Sequence, residues 1–175
     1  MKKIALTTLL MLFVGFVMAQ KLAYVNSTYI MEQIPEYQSA QDEIERVSQK
    51  WQKDLEERYQ AIEKMYNDYT AEEVLLPEEV RQERQEEIFQ AEREAKEYRE
   101  QKFGYDGELF KLQESKVRPV QDQVFKAVET VAVRRRFDMV FDKSGEVTWL
   151  YTNATYDLTD DVLEELGIAV PDDRR

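Results

Sequence analysis

The chain contains neither cysteine nor histidine. Without cysteine it gains nothing from an oxidising compartment, so its stability must come from packing or from association. Without histidine it lacks the commonest general base and the commonest transition-metal ligand. Both absences weigh against catalysis. Basic residues are also scarce, 24 Lys and Arg against 36 Asp and Glu, for a formal net charge of −12. So acidic a chain repels nucleic acid and anionic membrane surfaces. A dense apolar core is missing too. Through the middle of the chain, apolar side chains recur every three or four residues but are too sparse to fill a globule. A stripe of that kind is buried against another helix, another subunit or a bound polypeptide.

The N-terminus has the pattern of an export leader. Lys2 and Lys3 form the positive region, and Ile4 to Val17 is apolar apart from Thr7, Thr8 and Gly15. Val17-Met18-Ala19 then presents a peptidase site before Gln20. The apolar run is shorter than the ~20 residues of a spanning helix, and no basic cluster follows it. Cleavage would leave residues 20–175 and remove two positive charges. This is the pattern of an exported protein.

Lys21 to Val25 reads as a strand, and Asn26 or Ser27 caps a helical turn that Pro35 ends. From Glu36 the spacing becomes helical. Tyr37, Ala40, Ile44, Val47, Trp51, Leu55, Ile62, Tyr66 and Tyr69 form a coiled-coil seam. At about 1.5 Å per residue this is an arm roughly 50 Å long. Thr70 to Pro77 turns the chain, with Pro77, Glu78 and Glu79 suited to the start of a return helix. Ile88, Ala91, Ala95, Tyr98, Tyr105, Leu109 and Leu112 continue the rhythm. Gly104 and Gly107 interrupt this helix, either for close packing or as a hinge, and Pro119 should kink or restart it near Lys116 to Arg118. Beyond lie a more apolar stripe, Arg134 to Arg136, and two strands, Asp138–Asp142 and Val147–Tyr151, spaced as a hairpin across Lys143 to Glu146. Thr159 caps a short last helix that Gly167 terminates, and the tail from Ile168 frays. The expected fold is α+β and mostly α, a long antiparallel helical hairpin with a small β body built from both ends.

Three segments resemble the Skp/OmpH family of periplasmic chaperones. They are Lys21 to Ser27 with Pro35 to Ala40; Pro119-Val120 with Val124, Ala127, Val128 and Val131-Ala132; and Phe137 to Ser144 with Tyr156 to Thr159, Val162-Leu163 and Leu166. Asn26 and Arg136 depart from it, standing where the family prefers Asp and Gly. The resemblance implies a homotrimer whose arms enclose unfolded outer-membrane proteins without nucleotide, metal or other cofactor. Residues 1–19 are then a signal peptide, 20–35 and 117–167 an oligomerisation body, 36–116 the arm with its tip at about 70–79, and 168–175 a flexible tail. The family's best-known members are basic, and this chain is acidic, so lipopolysaccharide or membrane binding is not carried over. The alternative function is a coiled-coil envelope scaffold that binds one folded partner.

On this reading the client-contact candidates are Trp51, Tyr59, Tyr66, Tyr69, Val74, Leu75, Leu76, Phe89, Tyr98 and Phe103. Rigid amphipathic rings bury area at low entropic cost. At the tip, Val74 to Leu76 either fold over the return helix near Val80 or stay exposed for clients. The oligomer-body candidates are Tyr24, Val25, Met139, Val140, Phe141, Trp149 and Tyr151, because so few strands make no self-sufficient sheet. The hinge candidates are Gly104, Gly107 and Pro119. Arg134 to Arg136 either complement the helix dipole or dock anionic lipid. Carboxylate pairs such as Glu72-Glu73 and Glu78-Glu79 lack a Ca²⁺ loop's spacing and read as solvated faces.

Overall fold

The computed structural model describes residues 20–145 and 148–170. The expected leader, the first residue of the expected second hairpin strand and the last five residues of the tail lie outside them. The elements run β1 (Leu22–Val25), α1 (Ser27–Glu32), α2 (Pro35–Glu72), a 3₁₀ turn (Glu73–Leu75), α3 (Glu78–Phe103), α4 (Glu108–Arg135), β2 (Met139–Asp142), a second 3₁₀ turn (Ala154–Tyr156) and α5 (Thr159–Glu165). Contacts divide the described residues into two compact units, one formed by those up to Ile30 with those from Val124 onward and the other by Met31–Gln123.

In the first unit β1 and β2 pair in parallel, Leu22 opposite Met139 and Val25 opposite Asp142. A parallel pair needs a long crossover, and here everything from α1 to α4 supplies it. The expected hairpin does not form. Residues 148–151 carry no strand, and Tyr24 bridges instead to Asp157 and accepts a hydrogen bond from the Leu158 N–H at 2.9 Å. The core gathers Ala23, Tyr24, Val25, Ile30, Val124, Val131, Leu158, Val162 and Leu163.

Polar side chains set the ends of the elements in this unit. Asn26 Oδ1 caps α1 by accepting the Tyr29 N–H at 3.0 Å. The cap of α5 differs from the expected Thr159. Asp157 accepts the Thr159 N–H at 2.9 Å, and the buried Thr159 hydroxyl accepts the Asn26 N–H at 3.0 Å. Gly167, at φ 75°, closes α5 in a Schellman motif, with Ile168 N–H bonded to Leu163 O and Gly167 N–H to Glu164 O. The described start of the tail is therefore held, and Val170 is buried. The same motif ends α4, where Phe137 N–H reaches Ala132 O and Arg136 N–H reaches Val133 O, but Arg136 takes the left-handed position at φ 60°.

In the second unit α2 and α3 form an antiparallel pair. Contacts climb one helix as they descend the other: Asp54 with Tyr98, then Tyr69 with Gln85. Pro35 opens α2 at its first turn, where its missing N–H costs nothing. The unit buries Ala40, Ile44, Tyr69, Ile88 and Ala95. Met65 joins them half-buried where the rhythm pointed to Tyr66, which is exposed. The return is two helices, because Gly104 to Gly107 separate α3 from α4. Pro119 does not restart the helix, since α4 runs unbroken through it, although a proline leaves the carbonyl four residues earlier without its helical donor.

Candidate functional site

The candidate contact residues along the helices fall into two groups. Trp51, Tyr98 and Phe103 are packed inward. Trp51 meets Phe103 edge to face, ring centroids 6.3 Å apart. The Lys102 ammonium lies 4.8 Å from the centre of the Trp51 ring and 5.6 Å from that of Tyr98, and it bonds Glu108 at 2.5 Å. Arg58 covers Tyr98 at 4.6 Å, and the Tyr98 hydroxyl donates to Asp54 at 3.1 Å. These rings fix the α2–α3 seam where α3 ends. Tyr69 is likewise structural, donating to Glu73 at 3.1 Å and accepting from Gln85 at 2.6 Å.

The second group faces water. Tyr59, Tyr66 and Phe89 are exposed, Phe89 with Arg93 at 5.5 Å over its ring. At the tip Val74 is 91% and Leu75 84% exposed, so these two do not fold over the return helix. Leu76 does turn in, lining with Met65, Tyr69 and Ile88 a small cleft of about 270 Å³. The 3₁₀ geometry of Glu73–Leu75 explains the split, because such a turn cannot aim consecutive residues at one helix.

The body candidates divide similarly. Tyr24 and Val25 are buried within their own unit, whereas Met139, Phe141, Trp149 and Tyr151 are exposed and Val140 is half-buried. Phe141 and Trp149 contact each other edge to face at 5.7 Å. Leu150, which is 96% exposed, and Phe125 and Val133, both exposed on α4, add apolar surface outside the candidates named from the sequence. The eight-residue spacing of Phe125 and Val133, off the buried stripe Val120, Val124, Ala127 and Val131, was the signal for a second apolar face.

Gly104 and Gly107 form a tight turn. A Cβ on Gly104 would stand 2.3 Å from the Glu100 carbonyl oxygen, and one on Gly107 would stand 2.9 Å from backbone atoms of Gly104 and Lys102. Steric need accounts for both. Lys102 and Gln101 reach across the turn to Glu108, at 2.5 and 2.8 Å. Outside it, Tyr105 is 100% exposed and stacks on half-exposed Phe110, ring centroids 6.5 Å apart and planes 12° off parallel. The helical rhythm had placed Tyr105 in the seam.

The hydrogen bond from Lys102 holds the Glu108 carboxyl below its ordinary range against some desolvation. Burial raises Tyr69, with Glu73 adding to it, and burial raises Tyr98, with Asp54 adding to it. For Asp142, burial pushes upward, but hydrogen bonds from Ser27 and Ser144 outweigh it and the carboxyl ends lowered. Arg134 and Arg135 pair with Glu165 and Asp161, which ties α4 to α5 and occupies two of the three cations offered for lipid. Among the described residues no cluster of acidic side chains is arranged to hold a metal ion, and no helix is long and apolar enough to cross a membrane. A groove of about 480 Å³ lies open between the start of α2 and α4 around Pro35, Ala40, Glu43, Lys116 and Val120, bridged by Lys116 and Glu43 at 2.7 Å.

A model of the family described as outer membrane protein (OmpH-like) matches residues 21–166. No curated protein matches the chain.

Proposed function

The chain belongs to the OmpH-like family, and from that premise we propose that it is an ATP-independent holdase for unfolded outer-membrane β-barrel proteins. The family is one of chaperones and is periplasmic. The leader-like first 19 residues fit export with cleavage before Gln20. The observation that carries the reading is the apolar surface left in water on a two-helix arm: Val74 and Leu75 at the tip, with Tyr59, Tyr66 and Phe89 behind them. Within the second unit these groups stay exposed, Phe89 with Arg93 over its ring, and large exposed apolar groups mark interaction sites.

Three copies would assemble through the body and enclose the client between their arms. A parallel pair of four-residue strands is too small to stand alone. The exposed Met139, Phe141, Trp149, Leu150 and Tyr151 beside it suit burial against other copies. Many weak contacts then give avidity without a specific pocket. The client's unpaired strand edges are kept from one another, and the acidic exterior keeps the loaded complex soluble. Release needs a competing acceptor, because the mechanism consumes no fuel.

The test is light scattering from a urea-unfolded outer-membrane barrel diluted into the mature protein at low salt. Suppression at one trimer per client is expected; undiminished aggregation at that ratio refutes the reading. Native mass measurement should give three chains, and a stable folded monomer at micromolar concentration would refute the assembly. Crosslinking in cells that captured a single folded protein, rather than many unfolded barrels, would favour the scaffold alternative.

A further inference from the structure

The interruption between α3 and α4 looks at first like a joint, but the helix opposite it argues otherwise. α2 runs unbroken from Pro35 to Glu72. It places Trp51 and Asp54 directly against Phe103 and Tyr98. A break in one helix of a tightly paired hairpin cannot bend the pair while the other helix remains whole. The inner side of the turn is also closed by Lys102, which contacts Glu108 and both aromatic rings.

The consequence of the break lies on its outer side. Tyr105 follows Tyr98 by seven residues, the spacing that would bury it in the seam. The Gly104–Gly107 turn takes it out of that register and leaves it entirely in water. There its ring lies nearly parallel to that of Phe110, 6.5 Å away between centroids, and the exposed faces of the pair form an apolar platform. The adjacent charges neutralise each other, since Asp106 and Lys111 pair at 3.6 Å. No cation of this chain lies over either ring among the described residues.

We propose that the Tyr105–Phe110 platform is a client-binding site that takes a single aromatic side chain from an unfolded, amphipathic β-strand. By itself the platform is too small to hold a folded partner or a second copy. At about 150–250 Å² per ring, both sides of a contact here fall short of the ~1,000 Å² that a specific folded interface clears. One stacked ring from a flexible chain fits that area, and transmembrane strands carry such rings in their aromatic girdles. Offset and edge-to-face pairs both suit a platform open on its outer face. The site rests on the holdase reading above and adds a contact to it.

The experiment titrates the full mature protein with a urea-unfolded eight-stranded outer-membrane barrel, using the barrel's tryptophan-quenching or a fluorescent label as readout. The double variant Tyr105→Ser, Phe110→Ser should bind about three- to tenfold more weakly, the range of one aromatic pair. Its thermal midpoint should not fall, because both rings lie outside the seam. The variant Tyr105→Phe, which keeps the ring, should retain full affinity. A photoreactive benzoyl-phenylalanine at position 110 should crosslink to the barrel. Unchanged affinity in the double variant, or crosslinks only to a second copy of this chain, would overturn the site. If the unmodified protein itself fails to bind the unfolded barrel, the holdase reading falls and the site falls with it; if it binds and only the variant is unaffected, the site alone is wrong.

Discussion

Arg136 offers a substitution whose sign can be worked out from the backbone. It occupies the residue after the end of α4 in a Schellman motif, at φ 60°. A side chain in this left-handed region crowds its own backbone and costs about 1–2 kcal/mol relative to the right-handed form. Glycine has no such cost. Arg136→Gly therefore relieves that strain and loses part of it to the greater freedom of glycine in the unfolded chain, about 0.4–1 kcal/mol. Little else is lost. The side chain is exposed and forms no ion pair among the described residues, while Arg134 and Arg135 still face the negative end of the helix. The net expectation is a gain of about 0.5–1 kcal/mol. In urea unfolding followed by circular dichroism at fixed protein concentration, the midpoint should rise by roughly 0.2–0.7 M with an unchanged slope. Arg136→Ala is the control. It keeps Cβ and should lie within about 0.5 kcal/mol of the parent. A Gly variant no more stable than the Ala variant would show that the conformation at this position carries no strain.

Gly104→Ala tests the tight turn. In a helix interior the change would stabilise by about 1 kcal/mol, but contact with the Glu100 carbonyl at 2.3 Å predicts destabilisation by about 1–3 kcal/mol, readable in the same urea assay. Val74→Ser with Leu75→Ser should leave the unfolding midpoint within about 0.5 kcal/mol of the parent, because neither side chain packs. Suppression of barrel aggregation should nevertheless weaken; equal suppression would exclude the tip from client contact. The lowered Glu108 carboxyl sets a pH dependence. Its contribution is present above the ordinary value of 4.5 and disappears as pH falls through the lower folded-state value. Glu108→Gln should flatten that part of the acid-unfolding profile, and an unchanged profile would mean the Lys102–Glu108 contact is not maintained in solution.

Periodicity is a local property, and the parts of this fold that depend on it were legible in the residues. The three- and four-residue steps through Ala40, Ile44, Ile88 and Ala95 identified the paired helices, and Pro35 and Pro77 marked where helices begin. The rhythm failed where the backbone broke it. A repeat counted across Gly104 and Gly107 keeps its phase on paper, while the turn shifts the phase in space, so Tyr105 left the seam. Tyr66 and Met65 show the smaller form of the same error, one position of drift along a long helix.

By itself, the amino-acid order determined the charge, the absence of thiol and imidazole chemistry, the helical arms and the existence of short strands at both ends, because each follows from residue type and near-neighbour spacing. Only the tertiary structure decided which strand pairs with which. Met139–Asp142 takes Leu22–Val25 as a parallel neighbour and leaves Trp149 to Tyr151 unpaired in water. A strand's backbone groups are the same toward any partner. The choice between them is made by long-range burial of Tyr24, Val25, Leu158 and Leu163 in one core, which no local pattern encodes.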